Sequence, residues 1–171
     1  MSEQKGTVTN IESLMDMLAS KDGVIRQKAR EALVDLGKPA VSSLTQALQN
    51  SKLDQVRWEA AKALGSINDT RSIPPLVKAL EDNNSDVAWT AADSLNAFKK
   101  AAWPPLLQAL IKNKSESVSL RKGAHHVLVD QKEDGFNELL STLLKALESS
   151  SAPESSAVAA NEILKRMNAK V

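Results

Sequence analysis

Cysteine and tyrosine are absent from this 171-residue chain, and its aromatics amount to three Trp and two Phe. Without cysteine there is no disulfide scaffold, no thiolate metal site and no thiol nucleophile, which fits a reducing compartment. No apolar run reaches the roughly 18 residues that a membrane-spanning helix needs. The start, Met1 to Asn10, is polar and carries no hydrophobic signal core. An excess of one charge sign is missing too: 22 Lys+Arg stand against 21 Asp+Glu, for a formal net charge of +1. That balance argues against a surface built as a whole for nucleic acid, whose binding draws on neutralising phosphates. The expectation is a single-domain cytoplasmic protein, since one core can serve up to roughly 200 residues.

What the chain does have is repetition, the first feature to seek because it decides the fold. A Leu-x-x-small-Leu pattern recurs as LMDML from Leu14, LTQAL from Leu44, LVKAL from Leu76, LLQAL from Leu106 and LLKAL from Leu143, at steps of 30, 32, 30 and 37. Each is followed by an apolar pattern centred on an alanine: Ala29, Ala60, Ala91, Ala124 and Ala160, at steps of 31, 31, 33 and 36. The two series keep step. Around Ala60 the apolar positions are Val56, Ala63, Leu64 and Ile67, and around Ala91 they are Val87, Leu95 and Phe98. That is the spacing of one helix face, and strict alternation of the strand kind is absent.

Turn and cap residues separate the patterns, among them Lys21-Asp22-Gly23, Gly37-Lys38-Pro39, Asn68-Asp69-Thr70, Asn83-Asn84-Ser85 and the run from Lys132 to Gly135. Pro39, Pro74, Pro75, Pro104 and Pro105 fall where the first helix of a unit begins, where a missing amide hydrogen costs nothing. The spacing predicts ten helices in five antiparallel pairs, in units at about 11–38, 39–70, 71–101, 102–134 and 135–171, after a flexible tail over 1–10. Trp103 aligns with Ile73 and Val41 at the start of a first helix and is expected in the core.

The segment VRWEAAKALGSIND (56–69), leading into Ile73-Pro74-Pro75-Leu76 and then Leu80-Glu81-Asp82, resembles the HEAT repeat of the phycobilisome-lyase-like type, over about residues 11–167. The resemblance implies an all-α superhelix, a solenoid of about five HEAT-like helix pairs, with the second helices lining its concave side. It also implies that the Arg three before the alanine, here Arg26, Arg57 and Arg121, pairs with a loop aspartate, a role that suits Asp22 and Asp82 by position. Ala88 and Ala157 stand in its place in the third and fifth units.

On each second helix, the residues two before, two after and five after the alanine lie roughly 140–200° from the core direction, at about 100° per residue. These outward positions hold Gln27, Trp58, Trp89, Lys122 and Val158; Glu31, Lys62, Asp93, His126 and Glu162; and Val34, Gly65, Asn96, Val129 and Lys165. Two of the three tryptophans thus recur at equivalent outward positions in neighbouring units. Exposed Trp is the anchor type of interaction hot spots; the competing reading is that each indole fills the groove between units or a dimer contact. The candidate partner-binding residues are Trp58, Trp89, Lys62, Asp93, Asn96, Lys122 and His126. From Lys99 to His126 the chain is locally basic, with Glu116 its one acid, which reads as a solvated rim or a site for phosphate or an acidic peptide.

Catalysis finds little support. His125 and His126 are adjacent, so about 100° apart on a helix, and cannot both face one metal. HEAT-repeat deoxyhypusine hydroxylases hold iron with His-Glu pairs, and no His-Glu dipeptide occurs here. Trp89 and Asp93, four apart, weakly mimic the tryptophan–aspartate arrangement of HEAT-like alkylpurine DNA glycosylases, but the balanced charge argues against duplex binding. Nothing beyond the repeat supports a phycobilin-lyase-like accessory role. The expected function is a non-catalytic scaffold for a protein or peptide partner, monomeric or weakly dimeric, with no cofactor, no metal and no membrane partner; the alternative is a HEAT-like nucleic-acid-binding protein or glycosylase relative, or a phycobilin-lyase-like accessory protein.

Overall fold

The computed structural model describes residues 2–112, 116–149 and 153–169, with side chains at 10–112, 116–149 and 154–169. Among these residues there are ten α-helices and no strand. They are α1 (Ser2–Met17), α2 (Gly23–Leu36), α3 (Val41–Asn50), α4 (Asp54–Ile67), α5 (Ile73–Ala79), α6 (Ser85–Asn96), α7 (Trp103–Lys112), α8 (Val118–Leu128), α9 (Asn137–Glu148) and α10 (Pro153–Ala169).

The two periodic series form the core. Ala29, Ala60, Ala91, Ala124 and Ala160 are all fully buried, as are the leading leucines Leu44, Leu76, Leu106 and Leu143. Local chemistry sets the helix ends. Asp22 caps α2 by accepting from the Val24 amide at 2.8 Å, Asn84 caps α6 by accepting from Asp86 and Val87, and Ser117 caps α8 by accepting from Leu120. Gly37, at φ 68°, closes α2 in a conformation that favours glycine, and short 3₁₀ turns then lead into α3, α5 and α7. Trp103 is buried against Phe136, ring centroids 5.8 Å apart at 74°, in the edge-to-face arrangement that suits two quadrupoles.

The second helices α2, α4, α6 and α8 pack one on the next to form one layer, backed by α1, α3, α5 and α7. The chain is therefore an all-α solenoid. Within the layer α4 and α6 approach closely, with Gly65 against Ser94 and the Ser94 hydroxyl donating to the Ala61 carbonyl at 3.0 Å.

Three expectations need correction. Regular stacking would set α10 beside α8, but α8 packs against α9, and α10 against α7, so the last hairpin enters with its helices exchanged between layers. No proline-bearing turn precedes α9, and α10 presents Ser156, Ala159, Ala160 and Ile163 as buried residues, mostly small enough for close approach to α7. Backbone over Ser2–Met17 is helical, and Ile11 anchors this helix in the core. Gly65, expected outward, is buried, because α6 crosses over it. Arg26 does not take Asp22, which serves as the α2 cap; it reaches the Ser20 and Lys21 carbonyls and, across the layer, Glu59 at 3.4 Å.

Candidate binding face

Arg57 shows what the signature arginine does when its loop supplies an acid. Its guanidinium donates to both carboxylate oxygens of Asp82, at 2.8 and 2.9 Å, to Asn83 Oδ1 at 2.9 Å and to the Ser51 carbonyl at 2.9 Å. The hydrogen bond to Asp82 raises the Arg57 pKa above its ordinary value, against the opposing effect of burial. On Asp82, burial acts to raise the carboxyl pKa, but the Arg57 fork and the Asn84 amide outweigh it and hold it below the usual carboxylate range. Arg26 has no loop acid at the equivalent place, where Ser51 stands, and turns instead to Glu59, a buried carboxylate that Arg30 also engages.

Directly beside Glu59, Trp58 is half-buried against the core. Lys62 Nζ lies 4.8 Å from its ring centroid and the Arg30 guanidinium carbon 5.7 Å, so two cations cover the indole. Each such contact is worth about 0.5–1 kcal/mol at an exposed site. One unit later Trp89 is 56 % exposed. The His126 ring from α8 tilts over it at 42°, centroids 4.1 Å apart, and His126 Nε2 donates to Asp93 Oδ1 at 2.6 Å. The α6 pair Trp89 and Asp93 thus grips one imidazole on α8 and holds this part of the face in place.

Trp89 stands between two clefts. The one toward α4 has a volume of about 600 Å³ and includes Trp58, Gln55, Thr90 and Asp86 in its walls. The one toward α9 has about 630 Å³; its walls include the apolar Val118, Val129 and Leu147 and the cationic Arg121 and Lys122. A further groove of about 320 Å³ holds Trp58, Lys62 and Asp93 together.

Trp58, Lys62, Trp89, Asp93, Lys122 and His126 therefore share one continuous face. Asn96 does not join them: its side-chain carbonyl accepts from Gln131 Nε2 at 2.8 Å and ties the α6 end to the next connection. Sequence reasoning missed Arg30 as a cover for Trp58, and it missed the α8–α9 cleft. An opposite charge displaced by close to one repeat, as Arg30 is from Glu59 by 29 residues, was the available signal for the first. Lys114, part of the basic stretch, lies outside the described residues.

Among the described residues, no group of three or more His, Cys, Asp or Glu could hold a metal ion, and no helix is long and apolar enough to cross a membrane. A family profile described as HEAT repeats matches residues 41–128, more than half of the 171-residue chain. No curated protein matches the sequence.

Proposed function

Because the chain belongs to the HEAT-repeat family, we propose that it is a non-catalytic scaffold that holds a protein or peptide segment on the face of α4, α6 and α8. HEAT repeats commonly serve as protein-interaction scaffolds. The observation that carries the reading is Trp89, a large anchor left 56 % exposed with a cleft on either side and its orientation held by His126 and Asp93. Buried indoles at the centre of a patch carry much of the energy in many interfaces. Trp58 is the second anchor, and Lys62, Asp93, Lys122 and His126 supply polar contacts around them. Within the family, the Arg57–Asp82 fork supports the phycobilisome-lyase-like type. The cysteine-free composition suits a reducing compartment such as the cytoplasm.

Affinity capture with the wild type beside Trp89→Ala tests the reading, with circular dichroism checking that both are folded. Partners lost with Trp89→Ala are expected; partners kept equally by both refute the face. Capture abolished by nuclease points to nucleic acid instead and refutes the protein-partner reading.

A further inference from the structure

The three signature arginines differ in one respect. Arg57 spends its fork on the Asp82 carboxylate, and Arg26 reaches the Glu59 carboxylate. Arg121 is as buried as Arg57, each 8 % exposed, yet it has no acidic partner among the described residues. Its Nη1 donates to the Ser149 carbonyl at 2.7 Å, and its buried Nε finds no acceptor among the described residues. Ser149, at the end of α9, takes the place that Asp82 takes for Arg57. A buried guanidinium without a counter-charge is costly, and breaking such a pair elsewhere costs several kcal/mol, so a complementary anion gains what the fold leaves unsatisfied.

Arg121 lies in the wall of the 630 Å³ cleft beside Lys122, with Trp89, Val118, Val129 and Leu147 supplying the apolar surface. Trp89, Val118 and Val129 are exposed at 56, 53 and 45 %, so apolar area is left open to solvent next to the unmatched cation. Glu148, the acid in that wall, is engaged by His125 at 3.0 Å. The volume is that of a site for a few side chains.

We infer that this cleft takes an acidic–apolar segment of a partner protein, a carboxylate of Asp or Glu answering Arg121 and Lys122 while a neighbouring apolar side chain packs against Trp89, Val118 and Leu147. The inference rests on the scaffold reading and names the chemistry of its partner. The excess of cations in this part of the chain, with Glu116 the one acid between Lys99 and His126, draws such a segment toward this end of the face.

The test uses the full chain and a dye-labelled peptide in which Glu and Leu alternate, with fluorescence anisotropy as readout. Binding is expected to fall at least about tenfold when Gln replaces Glu in the peptide and again in Arg121→Met, as for loss of a charge-assisted hydrogen bond. Arg121→Met should keep the parent melting temperature or exceed it, because the variant removes an unpaired buried charge; a purely structural arginine would lower it. Lys122→Ala, at an exposed position, should weaken binding without touching the fold. Equal affinity for the Gln peptide, unchanged binding in Arg121→Met and Lys122→Ala, or tighter Arg121-dependent binding of a single-stranded RNA overturns the inference. Native partners that depend on Trp89 but ignore both cation variants leave the scaffold standing and remove this site; Arg121-dependent peptide binding that survives Trp89→Ala also overturns the inference, whereas native partners kept by Trp89→Ala overturn the scaffold reading itself.

Discussion

Substituting Ala for Gly65 sets two physical effects against each other. Gly65 lies inside α4, where alanine in place of glycine gains about 0.5–1 kcal/mol through backbone entropy. A Cβ there would stand 2.6 Å from both Cβ and Oγ of Ser94 and 2.9 Å from its Cα. The last of these is backbone of α6, so no rotamer change relieves it; α4 and α6 have to move apart, at about 1–3 kcal/mol for overpacking. The movement also strains the 3.0 Å bond from Ser94 to the Ala61 carbonyl, worth about 1 kcal/mol. The net expectation is a loss of about 1–3 kcal/mol, or on the order of 5 °C in a thermal melt of a chain this size. Two controls calibrate the measurement. Gly23→Ala meets only Arg26 Nη2, at 3.5 Å, and should leave the melting temperature level or slightly higher. Gly123→Ala meets the Leu80 side chain at 2.8 Å, which can shift, and should cost less than Gly65→Ala. A Gly65→Ala protein that melts at or above the parent temperature would refute the close crossing of α4 and α6, and with it the geometry of the Trp58–Trp89 face.

Leu64 and Ala60 are fully buried: Leu64→Ala should cost about 2–5 kcal/mol through a cavity, and Ala60→Leu about 1–3 kcal/mol through overpacking, both read from denaturant midpoints. Arg57→Ala should cost about 3 kcal/mol, because it leaves the Asp82 carboxylate, 10 % exposed, without its counter-charge. Acid should destabilise the fold in a defined window. Hydrogen bonds from Arg71 hold Asp69 down at about 2, and Asp82 also titrates below its ordinary range. Both carboxylates therefore add stability that is complete above the unfolded-state value of about 3.9 and is lost as pH falls toward 2. Melting temperatures from pH 6 down to pH 2 check this, and Asp82→Asn should flatten the acid limb; an unchanged slope would contradict the assignment.

Helix content and the buried face were readable because both are local. Spacings of three and four residues around Ala60 or Ala91 describe a single helix, and the burial of Trp103 followed from its register with Ile73 and Val41. The outward set was readable to the same degree: Trp58, Lys62, Trp89, Asp93, Lys122 and His126 do share a face, because each was placed relative to its own alanine. Where the reading failed, the deciding contact came from another helix. Gly65 is inside because α6 covers it, and Asn96 is engaged because Gln131 reaches it from the next connection. Trp58 and Trp89 hold the same register, yet Trp58 is half-buried beneath Arg30 and Lys62 while Trp89 stands open. Periodicity assigns a direction to a side chain, whereas its exposure depends on what the neighbouring unit places opposite.

Exchange of the final hairpin connects these observations to the proposed site. Had α10 followed α8 in the second-helix layer, small and apolar residues from α10 would have closed the groove beside Trp89. With α9 there instead, the end of that helix brings Leu147 and Glu148 to the cleft wall, and Ser149 offers Arg121 a carbonyl where the third unit offers Arg57 a carboxylate. The exchange opens the apolar wall, and Ser149, standing where Asp82 stands for Arg57, leaves the arginine beside it unmatched. The sequence marks the exchange in two places: the step of 36 to Ala160 against 31, 31 and 33 before it, and the lack of proline before α9. The break beside α8 thus sets an open apolar wall next to a buried arginine without a counter-charge, the two features on which the proposed site rests.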